Sequence, residues 1–159
     1  MSSNRQAILI TTALAGGLLP FDAQSATNTV TFTGNVATTC AVNVVNGTGT
    51  LTANGSLSNL SSKNPGGTPA KVDVTTTGGV RVSLDAVSSA TAPSTDTSTT
   101  IWTPTYSMSG AQVVTETGVS TLMTGAGTRN VDINLTGTKS GIDTFMGGAY
   151  AATVTVRCE

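Results

Sequence analysis

Cys40 and Cys158 are the only cysteines in the chain, and histidine is absent. Two sulfurs without imidazole and without a CxxC spacing make a poor metal site, so the chemistry that suits these thiols best is a disulfide. The lack of histidine also removes the usual general base, which leaves any serine nucleophile unactivated. Eight acidic residues are scattered along the chain. Asp132 and Asp143 come nearest to a carboxylate pair, but Asp132 is out of phase with apolar Val131 and Ile133 and therefore faces water. No Asp-x-Asp cluster offers oxygens to calcium. Trp102 and Tyr106 allow a sugar-stacking platform or, alternatively, buried core aromatics. No cofactor is expected, and the chain reads as a protein that is not an enzyme.

The elements that position these residues follow from composition. Only 9% of the 159 residues are charged, with seven lysines and arginines against eight acids. No basic field exists to hold a nucleic-acid backbone, so nucleic acid is not an expected partner. Threonine occurs 32 times and serine 16 times, while hydrophobic residues make up 38%. β-Branched Thr and Val fit a pleated, half-buried surface, and little in the chain favours a helix.

Residues 1–25 read as a signal peptide. Arg5 supplies a positive start, Ala7 to Leu19 is mostly apolar, and Pro20 breaks the run. Thirteen residues at a helical rise span about 20 Å, short of a bilayer core of roughly 30 Å. Ala23-Gln24-Ser25 places small residues where a signal peptidase cuts. Residues 26–159 then form a single β-sandwich domain, exported to an oxidising compartment.

Period-two alternation marks the strands. Val30, Phe32, Gly34 and Val36 fall on even positions, followed by Val42 and Val44. Val72 and Val74, then Val82 and Leu84, keep that phase. Val131, Ile133 and Leu135 form an odd-phase set, and Tyr150, Ala152, Val154 and Val156 the last. Side-chain phase favours a three-residue hairpin, Thr77-Gly78-Gly79, that sets Val74 opposite Val82; the alternative places the two strands in different sheets. Weaker strands are expected near Leu51, Thr105–Met108 and Gln112–Val114, and residues 86–100 suit an exposed loop. Seven or eight short strands with no helical period read as an antiparallel sandwich of immunoglobulin-like type, a closed barrel being the competing architecture. Cys40 and Cys158 both lie on the inward phase of their strands, so a Cys40–Cys158 bridge is expected, two separate buried thiols being the alternative.

The run Thr29-Val30-Thr31-Phe32-Thr33-Gly34-Asn35-Val36, a short polar step, then Cys40-Ala41-Val42, resembles the opening of a chaperone–usher pilin. Gly148-Ala149-Tyr150-Ala151-Ala152-Thr153-Val154-Thr155-Val156 resembles the last strand of those subunits. The spore-coat-U-like branch of secreted pilins is a looser resemblance. What this implies is an immunoglobulin-like sandwich missing its final strand, supplied by a periplasmic chaperone and later by the next subunit. Val30, Phe32, Gly34 and Val36 would then be the donated strand, and Tyr150, Val154 and Val156 would line the receiving groove. Like subunits, a periplasmic chaperone and an outer-membrane usher are the implied partners, with passage through the periplasm to the cell surface. The chain departs from the family's usual bridge between its first two strands, because no cysteine follows Cys40 until Cys158. A monomeric, disulfide-tied surface adhesin or carbohydrate-binding module, with a surface ligand, is the alternative function.

Overall fold

The computed structural model describes residues 26–159; the expected signal peptide, residues 1–25, lies outside the described residues. Twelve strands and no helix make up the described chain. They are β1 (Cys40–Asn46), β2 (Thr52–Ala53), β3 (Asn59–Ser61), β4 (Ala70–Thr76), β5 (Val80–Leu84), β6 (Ser89–Thr91), β7 (Thr100–Gly110), β8 (Val114–Thr117), β9 (Thr121–Met123), β10 (Gly127–Lys139), β11 (Ala151–Thr153) and β12 (Val156–Cys158).

The first layer is a seven-stranded antiparallel sheet built on β10. The first half of β10 pairs with β4 and its second half with β3, while its other edge pairs with β7 from Arg129 to Lys139. β1 extends this sheet beyond β4, β8 extends it beyond β7, and β2 extends it beyond β3. The second layer is the order β12-β5-β9, with β11-β6 as a separate short pair. Backbone bonds Asp85 N to Thr155 O and Ser88 N to Thr153 O join these two pairings into one interrupted ladder.

Alternation explains how the layers meet. Along β10 the residues Arg129, Val131, Ile133, Leu135 and Gly137 point inward, while Thr128, Asn130 and the intervening polar residues turn outward. Val72, Val74, Tyr106, Met108, Val131 and Ile133 from the first sheet pack with Val80, Val82 and Met123 from the second. Tyr106 is fully buried, and its hydroxyl reaches the carbonyls of Val82 at 3.1 Å and Val119 at 2.8 Å. It is therefore a core aromatic that ties the two layers together, as a buried tyrosine with a satisfied hydroxyl does. Trp102 lies over Gly137, where an added Cβ would come within 2.6 Å of the indole ring. Glycine is required there by the close approach of the ring. The fold is thus an all-β, two-layer β-sandwich.

Two strand expectations need correction. The strands at 72–76 and 80–84 do not form a hairpin: β4 lies in the first sheet and β5 in the second. Gly78 and Gly79 both take positive φ, 96° and 76°, which lets the chain cross between layers instead of turning back alongside itself. Residues 30–36 form no strand. Ala26–Gly34, the described part of a first unit ending at Gly34, has no regular secondary structure and is exposed throughout. No strand pairing is recorded for this segment among the described residues, and its apolar side chains are exposed.

Candidate functional site: an apolar groove between two free strand edges

Among the described residues β1 is paired only with β4, and β12 only with β5. Their other edges face each other across an open groove with a volume of about 790 Å³. Val42 and Val44 of β1 form one wall, and Tyr150, Ala152, Val154 and Val156 the other. Leu51, Leu60, Val72, Ile133 and Leu135 form the floor. The register sets Val42 opposite Val74 and Val44 opposite Val72, so these valines point toward the core side of their sheet. They are nevertheless 40% and 63% exposed. The reason is positional: among the described residues no strand covers the interval between β1 and β11–β12. Tyr150, Ala152, Val154 and Val156 keep the expected alternation and are half-buried for the same reason.

One end of the groove is closed covalently. Cys40 and Cys158 form a disulfide, with Cα atoms 6.1 Å apart, joining the start of β1 to the end of β12. The chain entering β1 is held at this end as well. Thr77 Oγ1 accepts from Thr39 N at 2.8 Å and donates to the Ala37 carbonyl at 3.1 Å, while Thr77 N donates to the Thr39 carbonyl at 3.2 Å.

The opposite end is built around Tyr150. Its hydroxyl donates to Asp96 Oδ2 and accepts from Met146 N at 2.9 Å. Asp96 Oδ1 also accepts from Lys139 Nζ at 2.8 Å, and the two side chains are 1% and 0% exposed. Ser98 adds its N–H at 3.2 Å and its hydroxyl at 3.0 Å to the same oxygen. Lys139 Nζ donates further to the Ser98 carbonyl at 2.7 Å and lies 5.0 Å from the centre of the Phe145 ring. The Lys139 bond, then the Tyr150 bond, hold the Asp96 carboxyl well below the usual carboxylate range. Burial, reinforced by the hydrogen bond to Asp96, pushes the Tyr150 phenol upward. Beyond Tyr150 lies a smaller apolar hollow of about 290 Å³ between Leu57, Leu60, Phe145 and Met146.

Tyr150, Val154 and Val156 line one wall of the groove, and Cys40 is joined to Cys158, as expected. Val30, Phe32 and Val36 are 73%, 91% and 80% exposed. Among the described residues, chain neighbours aside, no atom lies within 4 Å of the place where Gly34 would carry a Cβ. Asp132 is paired with Lys71 at 2.7 Å on the surface, and Asp143 lies in an exposed turn. Most of residues 86–100 form exposed or half-exposed loop, with β6 inside it and the Asp96 carboxylate turned inward. Sequence reasoning missed the Asp96–Lys139–Tyr150 cluster, since lysine and aspartate in a polar run read as solvated. It also missed Arg129, which is fully buried and donates to the Gly127 and Gly125 carbonyls at 2.8 and 2.6 Å. Its only signal was phase: Arg129 shares the odd, inward positions of Val131 and Ile133.

The arrangement can bind an extended chain. A strand laid in the groove meets two rows of free backbone groups at its sides and an apolar floor beneath. No family model, no curated protein and no solved structure matches this chain.

Proposed function

We propose that this protein is an exported structural subunit of a surface fibre, assembled by strand addition between copies. In this reading the sandwich is of immunoglobulin-like type and lacks one strand, and residues 30–36 of another copy supply it. The observation that carries the reading is the coexistence of an unfilled apolar groove with an exposed, alternating apolar segment in the same chain. Burying Val30, Phe32 and Val36 contributes about 1.5–3 kcal/mol for each side chain, before any ladder hydrogen bonds. Gly34 brings the backbone close to the floor where a side chain would hold it off. Only residues 37–39 separate Val36 from Cys40, and Ala37 and Thr39 are held by Thr77, which leaves too few free residues to turn the segment back beside β1. Donation therefore runs between copies. During export a periplasmic chaperone covers the groove, and an outer-membrane usher orders the exchange.

The test is assembly of the purified, oxidised protein. It should form filaments or a ladder of oligomers that persists on a denaturing gel without heating. Phe32→Asp should abolish the ladder, because a carboxylate cannot enter an apolar pocket unpaired. A Phe32→Asp chain that still assembles would sink the reading. A single species whose melting is independent of concentration would favour the disulfide-tied monomeric binding module instead.

A further inference from the structure

A second interface follows from where an incoming strand must end, and it rests on the strand-addition reading above. β1 runs away from the disulfide and β12 runs toward it, so a strand between them has two possible directions. At the disulfide end the receiving copy's own residues 37–39 are fixed on Thr77 as the chain enters β1. The body of a donor emerging there would meet that entering chain. The open direction is the other one, in which Val30 lies near Val156 and Val36 near Tyr150. Four residue steps separate Val36 from Cys40, a reach of at most about 14 Å. The donor's folded body is thus held against the Tyr150 end of the receiving copy.

That end carries an apolar rim. Leu57 is 48% exposed, Met146 46% and Ile142 98%. Leu57 and Met146 flank the hollow beyond Tyr150, and Phe145 N donates to the Leu57 carbonyl at 2.7 Å, fixing the two loops to each other. Leu57 holds a left-handed φ of 55°, unusual for a branched residue, and its turn is maintained by the Asn54 side chain accepting from Ser58 N and Asn59 N. Ile142 sits in the turn closed by Asp143 N on the Ser140 carbonyl. We infer that Leu57, Ile142 and Met146 form a docking face for the body of a second copy of this chain, brought there by the short connection between Val36 and Cys40. The donated strand sets the order of subunits, and this face fixes the angle between successive bodies.

The experiment separates the two contacts. Two full-length, oxidised chains are compared: Phe32→Asp, in which donation is blocked and the groove is left free, and the same chain with Leu57→Asp, Ile142→Asp and Met146→Asp added. Both should bind a synthetic peptide of residues 27–38 with affinities within about twofold of each other, because the rim lies outside the groove. With Phe32 restored, the three rim substitutions should weaken self-association about tenfold or more, since three carboxylates would replace an apolar contact. A photo-crosslinker at position 142 in the otherwise unaltered chain should join two copies covalently. Unchanged association of the triple variant, or no dimer from the crosslinker, would overturn the second interface while peptide binding kept the first. Failure of the peptide to bind the Phe32→Asp chain would instead overturn strand addition itself, and this face with it.

Discussion

Asp96 and Lys139 form a charged pair taken out of water entirely, and five hydrogen bonds converge on the two charged groups. Breaking such a pair leaves one charge buried and unpaired, whereas a surface pair such as Lys71–Asp132 is worth little. Lys139→Met should therefore lower the urea midpoint clearly more than Lys71→Met, which should move stability by less than about 1 kcal/mol. Equal effects would count against a structural role for the buried pair. The same residues set the pH response. A carboxyl held below its unfolded value adds stability that is present above about pH 4 and drains away as the pH falls further. A phenol pushed above its unfolded value adds stability that is present below about pH 10 and is lost as the pH rises through the folded value. With no histidine in the chain, stability should be flat between about pH 5 and 9 and fall on both sides, as read from melting temperature against pH. Little of this was legible in the sequence. A lysine and an aspartate 43 positions apart carry no local sign that they meet; the odd, inward phase that Arg129 and Lys139 share on β10 was the one warning of buried cations.

At the scale of elements, β1 and β12 are each held to their sheet by one neighbour and to each other by Cys40–Cys158. The bridge spans 118 positions, and closing so long a loop contributes about 4–5 kcal/mol in the chain-entropy account. Cys158→Ser should reduce the stability measured in urea by that order, and it should weaken binding of the 27–38 peptide because the groove walls are no longer tied. Retention of full peptide affinity in the serine variant would show that the walls are fixed by their sheets alone. Here the sequence was informative. Val72, Val74, Val82, Val131, Ile133 and Leu135 all face inward or nearly so on the expected phase, and both cysteines share it. What alternation could not supply was the neighbour of each strand. Side-chain phase is satisfied equally by Val74 facing Val82 across a hairpin and by Val74 packing on Val82 across the layers. The paired positive φ values at Gly78 and Gly79 accompany the second outcome.

For the whole molecule the governing fact is its surface. With 9% charged residues and a net charge of −1, copies of this chain repel one another weakly. Assembly driven by apolar burial and backbone pairing should then be nearly independent of ionic strength: between about 20 and 300 mM salt its rate should change by less than about twofold. A strong salt dependence, followed by light scattering, would point to a charged contact between copies in place of the apolar rim and groove.

The amino-acid sequence by itself determined that the described chain is all-β, which face of β1, β4, β5 and β10 is apolar, and that two inward cysteines stand ready to bridge. These are properties of single strands, written in a two-residue period that neighbouring residues carry among themselves. The tertiary structure alone decided which edges are left unpaired. It placed β4 and β5 in opposite layers, left residues 30–36 outside the sheets, and opened a groove between β1 and β11–β12. The physical reason is that strand pairing is a contact between residues far apart in the chain, and the hydrogen-bonding groups that make it belong to the backbone, which is the same at every position but proline.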